Sequence, residues 1–551
     1  MSWRTHTLAR SRFGRNAVAA SFSENRLASS RRDVYQSGMH VHELFTVWDW
    51  LVVGVYLAFT TLVGHVMKGK QATIRDFFLG GRSLPWLAVC GSIIATEISA
   101  LTFIGVPANV FADGGDFRYI QWAFGSIIAR VIVGVFFVKL YYEREIYSPY
   151  DYIGNVLGSH AKSATTVLFW LGAVLGQSVR VLVTAIILKA ATGLPVEACI
   201  GVVGLFAILW TLMGGMRTVI WTDVVQFFIF FFGGLVCLFL IVKSVGGWAD
   251  YTTIAAEGGK FVWLDTKLSA TESYTLWIGI LAMPFQNVTA FGLDQLMAQR
   301  MFCCKDAGDA RKAIIASGLS QIITLIMLAI GAGLYVYYRQ HPMTEEEAQL
   351  VADERNTVFP IWIITNLPPG ASGLILAGAF AAAISSLDSV LAALAQTSLS
   401  LFSKRAAAGD NDSKLVGTSR LVVCAWGIGL TLFTWLLYQV SQNQDLISLA
   451  FGMLSYTYGP MLGVFLLAAV FRRSSALGLG VGISLSVMFT LWLQPQGVAL
   501  LQKITSLSAE QIDRIQPDIH WAWMFPISCA LTVICGLLLG SPRTPSSKSP
   551  E

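Results

Sequence analysis

The sequence has 551 residues, of which 55% are hydrophobic and only 13% are charged, and its net charge is a modest +5. A soluble domain of average composition carries about 25% charged residues. With a mean hydropathy of +0.61, this composition excludes a chain of ordinary soluble domains and predicts an integral membrane protein. The eight cysteines and seven histidines show neither metal-ligand spacing nor a disulfide framework.

Residues 1–45 form an arginine- and serine-rich tail, with seven arginines before position 40. This tail is either a targeting segment or an upstream extension that is not native, in which case Met39 is the true start. At the other end, residues 541–551 have the composition of a disordered tail.

Long apolar stretches predict transmembrane helices, because about 20 apolar residues cross the hydrocarbon core of a bilayer and backbone groups in lipid must bond one another. We predict about thirteen such helices, which makes the fold all-α. The second and seventh carry polar runs, and the ninth is long. The predicted spans are residues 46–67, 85–107, 119–140, 165–191, 196–213, 220–243, 274–299, 312–338, 371–402, 416–440, 446–470, 474–494 and 520–540.

Lysine and arginine predict the orientation, since short cytoplasmic loops are enriched in positive charge. With the N-terminus outside, the inner loops and the C-terminal tail hold more than twice as many of these residues as the outer loops. Arg300 is counted among the inner ones. An odd number of spans then puts the C-terminus in the cytoplasm, and we expect a multi-pass protein of the plasma membrane.

Five ionisable residues stand out inside predicted spans, since at bilayer depth each costs about 2.5–3.5 kcal/mol or more and is a functional candidate. They are Glu97, Arg130, Arg180, Asp223 and Asp388. Structural alternatives remain open: Glu97 and Arg180 can form an internal ion pair, Asp223 can cap a helix, and Arg130 can extend to the membrane surface. Three carboxylates also leave negative charge that must be balanced.

The ninth span contains a polar cluster within AAAISSLDSVLAAL (381–394). On a helix, Ser385 shares a face with Asp388 and Ser389, while Ser386 points partly aside. A lone serine can bond the carbonyl four residues back, whereas a carboxylate flanked by hydroxyls offers the oxygen ligands that hard cations need. A monovalent ion such as Na+ fits this cluster better than a divalent metal.

The second span offers further oxygen ligands. Its centre carries the polar run TEIS (96–99), with Gly91 before it and Gly105 and Pro107 after it. Unwinding near Ala95–Ile98 would free main-chain carbonyls at membrane depth, as in transporters with broken helices. A plain polar turn is the alternative interpretation.

Five motifs in fixed order carry a resemblance to a known family. Together they resemble the sodium:solute symporter family, whose members move sugars, proline, carboxylates, vitamins, iodide and sialic acid. The likeness covers roughly residues 46–470. The motifs are FFLGGRSLPW (77–86), IIATEISALTFIG (93–105), GGMRTVIWTDVVQF (214–227), DQLMAQRMFCCKDAGDARKA (294–313) and AAAISSLDS (381–389).

The resemblance implies a leucine-transporter-type core of two inverted five-helix repeats. These repeats would occupy residues 85–243 and 274–470. Residues 46–84 would then hold the first helix and an inner loop, residues 471–540 two additional helices, and residues 541–551 the cytoplasmic tail.

The resemblance also implies where sodium binds. The site shared by the family would use three carbonyls and two hydroxyls, from Ala95, Ile98, Ala382, Ser385 and Ser386. We expect one or two coupling Na+ ions and favour two.

A second sodium site, found in some members, maps onto Asp223, Ser385, Asp388 and Ser389. Asp388 departs from the family pattern, where serine or threonine is expected. This second acid would either tighten Na+ binding or hold a proton and couple transport to H+ instead.

The resemblance implies that substrate contacts come from the broken helix, the next two spans and the seventh. Arg180 is similar in position to an arginine that holds the substrate carboxylate in sialic acid transporters, and a guanidinium suits a bidentate grip on a carboxylate. The aromatic rings of Phe103, Trp122 and Phe285 either gate this site or pack in the core. The substrate-binding candidates are Glu97, Ser99, Thr102, Gln121, Arg180, Phe285, Asp294 and Gln295.

The substrate itself is open between several classes. We favour an organic acid or sugar acid, either sialic-acid-like or a monocarboxylate. If Glu97 occupies Arg180, a neutral sugar of the glucose or galactose type fits instead. An acid at the Glu97 position, as in proline-type members, keeps an amino acid possible.

These observations predict a secondary active transporter that couples inward Na+ movement to solute uptake by alternating access. The alternatives of another class are a sodium-permeable channel and a membrane sensor. A channel needs a continuous polar pore, whereas the polar residues here cluster at mid-depth, and a sensor needs a signalling module, for which the 11 residues after position 540 are too few. An enzyme is not expected, because the sequence shows no nucleophile–base pair, metal motif or phosphate loop. The expected partners are a small solute and the lipid bilayer, with no nucleic acid and no obligatory protein partner.

Overall fold

The structure is a computed structural model that describes residues 40–67, 79–144, 146, 148–212, 216–402, 413–440, 446–494 and 516–542, with isolated residues between 495 and 515. The predictions about the two terminal tails fall almost entirely outside these residues. Apart from the two-residue antiparallel strands Arg473–Ser474 and Ser541–Pro542, the extended regular structure in the described ranges is helical. The predicted all-α class is confirmed.

Ten α-helices are described in the first half of the chain. They are α1 Val47–Met67, α2 Trp86–Glu97, α3 Ala100–Phe111, α4 Trp122–Ile132, α5 Val138–Glu143, α6 Pro149–Leu157, α7 Ser159–Thr192, α8 Val196–Thr211, α9 Met216–Ser244 and α10 Trp248–Glu257. The π-helical segment Val133–Phe137 joins α4 to α5, so these two form one span.

Eleven α-helices are described in the second half. They are α11 Met283–Val288, α12 Gln295–Met301, α13 Ala307–Ala316, α14 Ser320–Gln340, α15 Glu345–Asp353, α16 Val358–Asn366, α17 Ala371–Phe402, α18 Ser413–Val440, α19 Leu446–Leu466, α20 Ala476–Leu493 and α21 Met524–Leu538.

The helices match the predicted spans in order. Within the described ranges, ten helical runs are long and apolar enough to cross a membrane, and the bent pair α2–α3 is an eleventh candidate. The fifth and seventh predicted spans correspond to the shorter apolar runs Val196–Thr211 and Ile278–Leu293. Each of the thirteen predicted spans therefore has a helical counterpart.

The second span is broken where the sequence predicted it. Helix α2 ends at Glu97, Ile98 and Ser99 leave the helical conformation, and α3 begins at Ala100 with a bend of 52°. The Ser99 amide donates to the carbonyl of Glu97 at 2.9 Å, not to that of Ala95 four residues back. The break therefore releases a main-chain carbonyl, as the polar run TEIS indicated.

The seventh span is broken as well, at a position the sequence did not identify. Two π-helical segments, Ile278–Ala282 and Thr289–Leu293, flank α11, and the chain becomes extended at Asp294. The prediction of one span through residue 299 is wrong, because the Asp294 carboxylate accepts the Leu296 amide and starts the new helix α12. Both breaks fall in the first helix of a predicted repeat.

The polar cluster of the ninth span lies at the centre of the bundle. In the apolar membrane-crossing stretch of α17, 94% of the residues are buried inside the protein. The corresponding share in α1 is 22%, so α1 lies at the periphery. Helix α17 packs on α7, α9 and both halves of the broken helix. The hydroxyls and the carboxylate of this cluster consequently face protein, not lipid.

Candidate functional site

Asp223 lies in the interior of α9 and is almost fully buried, at 1% exposure. The hydroxyls of Ser92 and Ser385 both donate to its carboxylate, and Nη2 of Arg300 lies 3.0 Å from Oδ2. The alternative that Asp223 caps a helix is wrong, since α9 begins seven residues earlier at Met216. This carboxylate instead links α2, α12 and α17.

Arg300 is the functional residue that the sequence analysis misplaced. It was counted as an inner-loop cation, but its side chain is fully buried, because the break at Asp294 turns α12 into the bundle. Its guanidinium donates to Ser92, the Leu296 carbonyl, Asp223 and Ser389 at 2.8–3.0 Å. The signal that could have found it was the excess of buried carboxylates over buried cations.

The residues predicted for a second sodium site are therefore only partly together. Asp223, Ser385 and Ser389 surround the Arg300 guanidinium. Asp388 is also buried, but it is not among the groups that accept from the Arg300 guanidinium. In this conformation a side-chain cation, Arg300, balances the charge of Asp223.

Ser386 is different from its neighbours. Its hydroxyl is buried, and it has no hydrogen-bond partner among the described residues. Serines and threonines inside helices usually bond the carbonyl four residues back, as Thr397 does with Ala393 at 2.8 Å. The Ser386 oxygen is thus an available ligand on the helix that packs against the break at Ile98.

A cavity of about 160 Å3 opens beside both broken helices. Four of the predicted substrate residues line it: Glu97, Thr102, Arg180 and Asp294. The other four lie outside its lining: Ser99, Gln121, Phe285 and Gln295. The structure therefore brings together about half of the substrate site that the sequence predicted.

Gln121 is buried, but its side chain is hydrogen-bonded to the loop that follows α10. Its Nε2 donates to the Tyr274 carbonyl at 2.8 Å, and its Oε1 accepts the Asp265 amide at 3.0 Å. The adjacent Trp122 lines the cavity, and its ring contacts those of Phe451 and Trp521.

The other two aromatic candidates differ from Trp122. Phe103 packs on Phe230 and Phe359, outside the cavity, and Phe285 also lies outside its lining. Of the three proposed gating aromatics, only Trp122 is placed to cover a solute.

Glu97 is paired with Arg130, not with Arg180. Nη2 of Arg130 donates to the Glu97 carboxylate, and the Arg130 guanidinium lies 4.1 Å from the Phe291 ring. The hydroxyls of Ser126, Ser317 and Ser320 also surround this guanidinium. Arg130 is only 1% exposed, so the expectation that it extends to the membrane surface is wrong.

Arg180 is left facing the cavity without an ionic partner. Its Nη1 donates to the Thr96 carbonyl at 3.3 Å, and no carboxylate of the described residues lies within 4.0 Å of the guanidinium. Both oxygens of the neighbouring Asp294 already accept hydrogen bonds, one from the Tyr458 hydroxyl at 2.6 Å and one from the Leu296 amide. The guanidinium fork of Arg180 thus remains available to an anionic group.

This geometry defines a transporter-like site, in which a solute cavity lies between two broken helices beside a buried serine–carboxylate cluster. The chain belongs to the sodium:solute symporter family, whose profile matches residues 77–483. The predicted class, a Na+-coupled secondary active transporter of a small organic solute, is confirmed at this level, and the protein is a multi-pass membrane protein.

Several characterised relatives span most of the chain. It is 29% identical over 471 residues to the sodium/sialic acid symporter SiaT of Proteus mirabilis, covering 82% of this chain and 90% of that one. It is 26% identical over 468 residues to a sodium/glucose cotransporter of Vibrio parahaemolyticus, covering 82% and 84%. It is also 26% identical to the sodium-coupled monocarboxylate transporter 1 of Xenopus laevis, covering 81% and 72%.

A solved structure supports the fold. A Na+-coupled sialic acid symporter, in a substrate-bound outward-open state with a novel Na+ site, is similar with a TM-score of 0.76 at 25% identity. The similarity covers 91% of this chain and 100% of that one. The predicted leucine-transporter-type architecture is thereby confirmed.

Proposed function

We propose that this protein uses a Na+ gradient to accumulate an organic acid, whose carboxylate is held by Arg180. The observation that carries the proposal is the separation of the two possible partners, since Glu97 is committed to Arg130 while Arg180 faces the cavity unpaired. Arg180 is only partly exposed, and a guanidinium largely withdrawn from water without a carboxylate partner is costly. An anionic solute removes that cost when it binds, whereas a neutral sugar does not.

The relatives agree with this substrate class without deciding it. Sialic acid and monocarboxylates are acids, but glucose, carried by the Vibrio relative, is neutral. Glu97 gives no support for a cationic substrate, because Arg130 neutralises its charge and Gln321 donates to its second oxygen at 3.4 Å. The arrangement of these charges is therefore our main argument for an acid.

We propose that the first Na+ binds where the break in α2–α3 meets α17. The carbonyls of Ala95 and Ile98 lie at the break, and Ser386 contributes an unpartnered hydroxyl. The carbonyl of Ala382 and the hydroxyl of Ser385 complete the oxygen set that resemblance to the family implies. A hard cation prefers such oxygen ligands.

We propose a second Na+ beside Asp223, Ser385 and Ser389. The Arg300 guanidinium lies among these groups in the present conformation. A second ion therefore has to displace it in part, so that Na+ and Arg300 alternate as the counter-charge of Asp223. Asp388 lies one turn along α17, where its acid adds attraction for a cation.

Alternating access follows from where these ligands sit. Na+ entering from outside joins the broken helix to α17 and so completes the wall that carries Glu97 and Thr102. Ion and solute then favour the same conformation, which is the condition for coupling between two sites. Each charge adds about 2.3 kcal/mol at 100 mV, so two ions concentrate the solute far more strongly than one.

The proposed setting is the plasma membrane, with the N-terminus outside and the C-terminus in the cytoplasm. This orientation rests on the excess of lysine and arginine in the inner loops. Arg300 no longer belongs to that count, but its removal leaves the excess clear.

Sodium-dependent thermal stabilisation by a panel of acids and sugars tests the function. We expect acids to stabilise the purified protein in NaCl and not in choline chloride, and Arg180→Ala to remove that effect. Stabilisation by glucose alone, unchanged in Arg180→Ala, would contradict the organic-acid assignment.

A further inference from the structure

Two glutamines that the sequence analysis did not single out line the solute cavity. Gln177 is on α7 and Gln286 on α11, and they are only 7% and 4% exposed. Gln177 lies three residues before Arg180, so both side chains leave the same face of α7. The two amides and the guanidinium therefore border one space.

The amide oxygens of both glutamines lack partners. Among the described residues, no donor lies within hydrogen-bond distance of Oε1 of Gln177 or Oε1 of Gln286, although both atoms are buried. Buried side-chain polar atoms in native proteins nearly always have a hydrogen-bond partner. The neighbouring Asn287 follows this rule, since its Nδ2 donates to the Met283 carbonyl at 2.9 Å.

The chain does not fix the direction of these two amides. A side-chain amide carries one acceptor and one donor group, and rotation about its last torsion exchanges them. With no protein donor holding either oxygen, each amide can turn its oxygen towards a solute. Such groups discriminate strongly, because a ligand that lacks the matching hydroxyl leaves them buried and unpaired.

We propose that Gln177 and Gln286 read hydroxyl groups of the solute, and that the transported acid is therefore polyhydroxylated, that is, a sugar acid. The inference rests on the proposed function, since it takes Arg180 as the carboxylate contact. A plain aliphatic monocarboxylate leaves both amides unsatisfied, and a neutral sugar leaves Arg180 unpaired.

The test compares three solutes that separate the two recognition elements. Gluconate carries both a carboxylate and hydroxyls, hexanoate only the carboxylate, and glucose only hydroxyls. Affinity is measured by thermal shift in NaCl and by sodium-driven currents in proteoliposomes. We expect gluconate to bind at least about tenfold more tightly than hexanoate.

Near-isosteric variants assign the discrimination to the glutamines. Gln177→Met and Gln286→Met should each weaken the binding of gluconate about tenfold and leave the affinity for hexanoate unchanged. Gln494→Met is the matched control, because Gln494 is equally buried at 7% but lies outside the cavity lining. That variant should leave the affinity for both acids unchanged.

The possible failures are distinguishable. Equal affinity of the wild type for gluconate and hexanoate overturns this inference and leaves the organic-acid function standing. An equal loss of affinity for both acids in the two variants assigns the glutamines a structural role and also overturns the inference. Binding of glucose without binding of either acid overturns the proposed function itself.

Discussion

Among the described residues, two arginine–carboxylate pairs with a buried guanidinium lie in the core, and they differ in what the carboxylate faces. Asp223, paired with Arg300, is 1% exposed and held by two serine hydroxyls. The side chain of Glu97, paired with Arg130, is 21% exposed and borders the solute cavity. The first pair is enclosed by helices, whereas the second forms part of a wall that a solute touches.

This difference shows how charge is divided between the two sites. The Asp223–Arg300 pair lies among the proposed sodium ligands, and we propose that it holds a cation position that Na+ can take over. The Glu97–Arg130 pair removes a negative charge from the cavity wall. Arg180 is then left at the cavity wall as a partly exposed guanidinium with no carboxylate of the described residues within 4.0 Å.

The largest expected effect comes from breaking the enclosed pair. Arg300→Met leaves the Asp223 carboxylate buried without a cation, and removing one partner of a buried pair typically costs about 3–5 kcal/mol. We expect a loss of that size in the free energy of unfolding, measured by thermal or chemical denaturation in detergent without Na+.

The double variant Arg300→Met/Asp223→Asn is the control for this change. It should recover much of the stability, because the unpaired charge is gone. If Na+ replaces Arg300 at Asp223, added NaCl should also stabilise Arg300→Met more than the wild type. Equal stabilisation of both proteins by NaCl would argue against a second ion at this position.

Arg180 has no carboxylate partner that its removal would leave unpaired, so its loss should affect solute binding more than stability. Hydrogen bonds to charged groups contribute about 1.5–3 kcal/mol, so Arg180→Ala should raise the KM for a transported acid roughly 10- to 150-fold. Arg180→Lys keeps the charge but not the bidentate fork, so its KM should lie between those of the wild type and Arg180→Ala. An unchanged KM for every acid tested would remove the assignment of Arg180.

The solute-facing pair should be the more tolerant of the two pairs. Arg130→Met leaves Glu97 unpaired, but this carboxylate is partly exposed to the cavity and can be hydrated. We expect a loss of about 1–2 kcal/mol in the free energy of unfolding, below that of Arg300→Met. Measuring both variants under one denaturation protocol gives the comparison, and equal losses would show that exposure does not distinguish the pairs.

The two adjacent serines should separate stability from sodium coupling. Ser385 donates to Asp223, so Ser385→Ala should cost about 1 kcal/mol or more. Ser386→Ala removes a hydroxyl without a partner in the described structure and should leave stability within about 0.5 kcal/mol. Ser386→Ala should nevertheless lose sodium-dependent uptake, and uptake at wild-type Na+ affinity would refute the shared site.

The helices were predictable because each carries a long apolar run, and the first break was predictable because TEIS interrupts such a run at its centre. The break at Asp294 was missed because its cause is a cap made by a single side chain. The pairing of Glu97 with Arg130 was also missed, since hydropathy locates a charge along the chain but not the face of another helix that it meets. Gln177 and Gln286 escaped notice because a neutral amide gives little signal in an apolar run.

The most direct test of the account is uptake of a carboxylate solute into proteoliposomes under an imposed Na+ gradient. The account predicts accumulation above the external concentration with inward Na+, and simple equilibration when choline replaces it. Equal accumulation in choline, with no dependence on a proton gradient either, would contradict the claim that a cation joining the broken helix to α17 drives transport.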